Sequence, residues 1–319
     1  MLDLHRLRLL HELHARGTIA AVADALRFTP SAVSQQLAVL EREAGLPLLE
    51  RAGRGVRLTD AALVLVDHAG ALLERAELAQ ADLAAAAGTV AGRGRIASFQ
   101  SVAFHLAVPA MQALSREAPG LRCELVEAEP EWSLPALATG DVDLVLADEW
   151  EHQPLARLDG VVREDLLRDP VQVVLPADHP VLGRHEDAVP LAELGDEAWT
   201  SGHHATAWRS IVERTCRQLG RFEPDIRHRT NDAVLSMALV AGGRAVTLLP
   251  ALVDPGSHPG IAVRPIAEGA VFRTILVATR AADAERPSVQ ALLAAIRVAA
   301  VDVSAKLLAE DLTGDTEAR

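Results

Sequence analysis

The chain has 319 residues, half of them hydrophobic and about a quarter charged, a globular composition with room for two or more domains. The 44 acids outnumber the 31 basic residues, giving a net charge of −13, so a uniformly basic nucleic-acid coat is excluded and any such contact falls to a local cluster of arginines. Apolar runs are broken by Arg, Asp, Glu or Gly, so no membrane partner is expected, and the opening MLDLHRLRLLHELHARG has no signal-peptide pattern, which predicts a cytoplasmic chain.

Residues 1–60 carry eight Arg against seven acids, near +1, so the acidic surplus lies beyond them. Leu4, Leu7, Leu10 and Leu13 repeat at helical spacing and Gly17 ends that helix. Thr18 caps a second helix from Ile19 to about Leu26, and Arg27-Phe28 makes a turn. Thr29 caps a third helix, with Pro30 in its first turn, running to about Glu43. Val33, Leu37 and Leu40 share its apolar face; Ser31, Ser34, Gln35 and Ala38 share the opposite one. Small hydroxyls and an amide on an exposed helix face suit the edges of bases in a major groove. Two short strands follow, Leu46–Arg51 and Val56–Thr59, around the turn Ala52-Gly53-Arg54-Gly55, with Arg51, Arg54 and Arg57 placed for phosphates or a narrow minor groove. This is the pattern of an all-α winged helix-turn-helix over 1–60, with Thr29, Ser31, Ser34, Gln35 and the three wing arginines as DNA-binding candidates.

Thr59 and Asp60 start a long helix over 61–90. Its stripe of Ala62, Leu65, Val66, Ala69, Leu72, Leu73, Ala76, Ala79 and Leu83 predicts a dimerisation helix. The segment AGRGR, 91–95, follows as a hinge. From Arg95 the pattern becomes βαβαβ, with strands in GRIASFQ, LRCELVEA and DVDLVLAD and helices between, which predicts a mostly parallel α/β sheet. A second set starts at RDPVQVVLPADHP and closes with a helix after Pro287; residues 304–319 are expected to be a frayed polar tail. Ligand-facing positions beyond strand ends or at helix starts are Gln100, Ser101, Glu129, Ser201, Gly202, His203, Asn231 and Thr247.

The stretches LHRLRLLHELHARGTIAAVADAL, TPSAVSQQLAVLEREAG and LPLLERAGRGVRLTDA together resemble the N-terminal domain of LysR-type regulators. LPADHP and ALVAGGRAVTLLP are similar to pieces of the effector domain of that family. The resemblance implies a two-lobed, periplasmic-binding-protein-like effector domain over 91–303, with lobe one at about 93–163 and 268–303 and lobe two at about 164–267. It also implies a transcriptional regulator whose partners are an inverted-repeat operator in double-stranded DNA, a second copy in a homodimer and then a homotetramer, RNA polymerase, and a small effector bearing a carboxylate or being an amino acid. Ser101 and the 201–203 loop match the family's cleft most clearly. Where many members read Ser-Gln-Pro this chain has Thr29-Pro30-Ser31, which bears on base preference at that contact.

Two other classes compete. A metabolite-binding protein without DNA readout would account for the last two-thirds of the chain but not for the first sixty residues. An enzyme would need a site that is missing: there is no GxSxG, phosphate loop or dinucleotide fingerprint, and no nearby carboxylate or Cys completes a metal site at His203-His204. Neither a cofactor nor a metal is expected. Cys123 and Cys216 form no ligand pattern and are expected to be buried thiols.

Overall fold

A computed structural model of the chain describes residues 1–52, 55–86, 89–150, 153–204 and 206–314. It divides into two compact units, residues 1–92 and 93–319.

In the first unit, α1 (Leu4–Arg16), α2 (Ile19–Leu26) and α3 (Pro30–Ala44) precede the hairpin β1 (Leu49–Ala52) and β2 (Gly55–Leu58) and the long α4 (Asp60–Ala86). Local chemistry sets each boundary. The Asp3 carboxylate accepts from Arg6 N at 3.1 Å, Thr18 caps α2, and Thr29 caps α3 with Pro30 behind it. Gly17 ends α1 at φ +77°, a conformation in which a side chain is strained. Leu7, Leu10, Val22, Val33, Leu37 and Leu40 pool into one core. Glu41 ties the hairpin to α3 by accepting from Leu48 N and Leu49 N at 2.9 and 3.0 Å. Thr59 donates to Pro47 O at 2.8 Å and caps α4.

The stripe on α4 divides in two. Ala62, Val66 and Ala69 are buried in the core of their own unit, with Leu65 packed beside them, whereas Leu72 and Leu83 are exposed.

The second unit is built on one seven-stranded mixed sheet, order β10-β6-β11-β5-β3-β4, with β9 also paired to β6. Lobe one holds β3 (Ala91–Ser98), α5 (Gln100–Val102) continuing through a π turn (Ala103–Ala107) into α6 (Val108–Glu117), β4 (Gly120–Glu127), α7 (Pro130–Thr139) and β5 (Leu144–Trp150). Strand β6 (Val161–Pro176) then runs through both lobes. Lobe two adds β7 (Ala198–Ser201), α8 (Ala207–Thr215), β8 (Asp225–Arg229), α9 (Ala233–Ala241), β9 (Thr247–Pro250) and β10 (Ile261–Arg264). Strand β11 (Val271–Arg280) returns, and α10 (Pro287–Gly314) closes the unit. β3 and β5 are parallel, but β11 and β6 are antiparallel to their neighbours, so the sheet is less parallel than the βαβαβ pattern suggests. Leu137, Val145 and Leu276 centre one apolar cluster; Leu191, Trp199 and Val212 centre another.

Two boundaries differ from the sequence reading. β6 begins at Val161, seven residues before Arg168, because its charged first half still pairs with β11. α10 continues to Gly314 rather than fraying after Val303. Residues Pro287–Leu307 of this helix are long and apolar enough to cross a membrane, contrary to the expectation that no stretch is. Only Arg297, Asp302 and Lys306 interrupt them. Here Val289, Leu292 and Ile296 are buried and the helix packs on α6 and β6, as a core helix of an α/β domain does.

Candidate functional site

In the first unit, α3 presents Ser31, Ser34 and Gln35 to solvent on the side away from Val33, Leu37 and Leu40. Their hydrogen-bonding capacity is not equally free. Thr29 Oγ1 accepts from Ala32 N at 3.2 Å and shares a hydrogen bond with Ser31 Oγ at 3.0 Å. Ser34 Oγ donates to Pro30 O at 2.9 Å. Gln35 makes no side-chain hydrogen bond among the described residues, so its amide keeps both a donor and an acceptor for a base edge. On the hairpin, Arg51 and Arg57 are exposed, and Arg57 forms an ion pair with its cross-strand partner Glu50. Arg54 lies outside the described residues.

In the second unit, a cavity of about 420 Å³ opens where the two lobes meet the crossing strands. Lobe one contributes Phe99, Gln100, Ser101, Phe104, Glu129 and Glu131; lobe two contributes Thr206, Trp208, Asn231, Val234, Met237 and Asp254. At its base Arg273 of β11, only 4% exposed, bonds three elements. Its Nη2 lies 2.7 Å from Asp169 of β6 and donates to Ser101 Oγ at 2.9 Å, while Nη1 donates to Asp148 of β5 at 3.2 Å. The guanidinium also lies 5.1 Å from the Phe99 ring centroid. Burial holds the Asp148 carboxyl above its usual range, although Arg273 pulls the other way. Glu129, next to Pro130 at the start of α7, is pushed up to about 7 by burial, then by the negative charges of Asp148 and Glu131, with Arg273 opposing.

Of the ligand-facing positions expected from the sequence, Gln100, Ser101, Glu129 and Asn231 line this cavity and Ser201, Gly202, His203 and Thr247 do not. Thr247 is fully buried and donates to Thr200 O at 2.8 Å, a contact between strands. Ser201 is buried in β7. Gly202, His203 and Thr206 are engaged within the protein: Asn231 Oδ1 accepts from His203 N at 3.0 Å, Thr206 Oγ1 donates to His203 O at 2.8 Å, and a Cβ on Gly202 would collide with the Thr206 hydroxyl. Ser101 does not cap its helix; its hydroxyl accepts from Arg273. Sequence reasoning missed Asp148, Asp169 and Arg273. The available signal was an arginine inside the apolar strand FRTILVAT, since a buried guanidinium requires carboxylate partners elsewhere in the chain.

A winged helix-turn-helix followed by a two-lobed α/β domain with a cavity between its lobes defines a class of ligand-responsive DNA-binding proteins. The comparisons give that class a family. Residues 4–63 match the bacterial regulatory helix-turn-helix model of the LysR family, and residues 87–300 match the LysR substrate binding domain. The chain belongs to the LysR family: it is a DNA-binding transcriptional regulator with an effector-binding domain. It is 27% identical over 306 residues to the probable HTH-type transcriptional regulator LrrA of Synechococcus elongatus, covering 95% of this chain and 99% of that one. It is 27% identical over 277 residues to the DNA-binding transcriptional dual regulator OxyR of Escherichia coli K12, covering 86% of this chain and 88% of that one. Among solved structures, full-length CbnR complexed with its target DNA superposes with a TM-score of 0.67 at 21% identity, covering 93% of this chain and 100% of that one.

Proposed function

We propose that the chain, as a dimer in the cytoplasm, reads an inverted repeat through Gln35 and the wing arginines, and that a small molecule in the cavity of the second unit modulates this. The observation that carries the reading is the cavity. It is walled from both lobes at the two strands that cross between them, where a ligand that prefers one lobe arrangement biases the whole domain. On this reading the chain acts by binding, not by catalysis. The exposed Leu72 and Leu83 of α4 support a second copy as partner.

Peroxide-inducible activators are among the relatives, but this chain's thiols do not favour that response. Burial pushes the Cys216 thiol up to about 12 and also raises Cys123, so neither is poised as a thiolate.

The test is a thermal-shift screen of the full chain against neutral, cationic and anionic metabolites, repeated with Val234→Trp, which places bulk at an exposed position of the cavity wall. Shifts seen in the wild type and lost in the variant support the reading. Shifts retained in the variant, or none from any charge class, contradict it.

A further inference from the structure

The charged side chains lining the cavity among the described residues are four carboxylates (Glu129, Glu131 and Asp148 from lobe one, Asp254 from lobe two) and one guanidinium, Arg273; His105 lines it too. Arg273 is spent: Asp148 and Asp169 together exceed its charge, and Ser101 takes a further donor. It offers an anion little. Glu131 and Asp254 are exposed; Glu129 keeps part of its surface open to solvent while its carboxyl is crowded into the lobe-one wall, which is the desolvation that raises it; none of the three has an ion-pair partner among the described residues. The rest of the wall is largely apolar, with exposed Phe104 from lobe one and Val234 from lobe two. The Trp150 indole N–H is the one buried side-chain donor in the wall without a partner among the described residues. A donor left unpaired in a cavity wall calls for an acceptor.

We propose that the cavity binds a small organic cation, a protonated amine carried on an apolar or aromatic body, with Glu129 and Glu131 of one lobe and Asp254 of the other as its counter-charges. This rests on the cavity being the effector site. An amino acid meets the requirement through its ammonium group; a simple carboxylate does not. Without a ligand, carboxylates from both lobes share one cavity and repel; a cation among them favours the arrangement that brings the lobes together. An acceptor atom on the apolar body would satisfy Trp150.

Binding is then coupled to protons. Glu129 faces Asp148 of β5, Glu131 of α7, Glu127 of β4 and Arg273 of β11, shares the cavity with His105 and Asp254, and titrates near 7. A cation favours its ionised form, so affinity rises as pH rises through that value and binding releases a proton.

The test is calorimetric titration of the full chain with phenethylamine, 3-phenylpropanoate and 3-phenylpropanol, which vary the charge on one aromatic frame. The amine is expected to bind in preference to the acid. Its Kd should tighten up to about tenfold between about pH 6 and about pH 8, as a carboxyl titrating near 7 goes from about a tenth to about nine-tenths ionised. Glu129→Gln keeps the shape, so it should weaken the amine about tenfold and flatten the pH dependence while the unliganded melting temperature holds or rises. The acid binding better than the amine, or amine affinity unchanged by Glu129→Gln together with Asp254→Asn, overturns the cation assignment. If the acid or the alcohol binds and Val234→Trp abolishes that binding, the cavity stands and only its charge preference falls. If none of the three binds, the assignment falls as well, and the metabolite screen decides the cavity on its own.

Discussion

On the proposed reading Gln35 is the residue of α3 best placed for a base contact, because its side-chain amide is not spent inside the protein among the described residues, while Thr29, Ser31 and Ser34 bond one another or their own helix. Gln35→Ala should therefore relax base preference at one operator position, costing about 1–3 kcal/mol of discrimination, in a binding assay against single-base operator variants. Arg51→Ala should instead weaken all sequences alike and reduce the slope of log affinity against log salt by about one unit. Arg57 must first give up Glu50 and should matter less. In the effector domain, Arg273→Ala leaves Asp148 and Asp169 buried without their partner, a loss of about 3–5 kcal/mol by urea denaturation. Glu129 works in the opposite sense. Its raised value means that its stabilising share is full below the ordinary carboxyl value of 4.5 and is lost as pH rises through about 7. The melting temperature of the unliganded chain should carry that loss, and Glu129→Gln should remove it.

At the scale of elements, α4 is two helices in one. Its first half is core and its second half presents Leu72 and Leu83. Val66→Glu should unfold the first unit, whereas Leu72→Glu with Leu83→Glu should leave its melting curve intact and dissociate the dimer, as read by sedimentation of the full chain. Retention of the dimer would move the interface off this helix. The periodicity of Ala62 to Leu83 was legible in the sequence, but its division was not, because the same spacing serves burial against α1 and burial against a second copy. The caps at Thr18, Thr29 and Gly17 were legible because capping is local chemistry. The early start of β6 was not. Glu164, Asp165 and Arg168 read as loop until β11 supplies the ladder that makes them strand.

For the whole molecule, the order of parts was legible: helix-turn-helix, long helix, two α/β lobes. Each carries its own periodicity or turn signal. The cavity was half legible. Gln100, Ser101, Glu129 and Asn231 sit next to helix starts that sequence can locate, and these line it. Asp148, Asp169 and Arg273 lie up to 125 residues apart and meet only because β5, β6 and β11 are neighbours in the sheet, a fact of topology that no short motif records. The expected carboxylate or amino-acid ligand followed from the family resemblance and from the helix start at Gln100 and Ser101, and the acidic wall is the ground for proposing a cationic group instead.

The most direct measurement is operator affinity and footprint of the full chain with and without a cavity ligand chosen by its thermal shift, for wild type and Val234→Trp side by side. The account predicts that the ligand changes affinity or footprint in the wild type, while Val234→Trp binds the operator like the unliganded wild type and does not respond. A ligand that fills the cavity and leaves both affinity and footprint unchanged would contradict it.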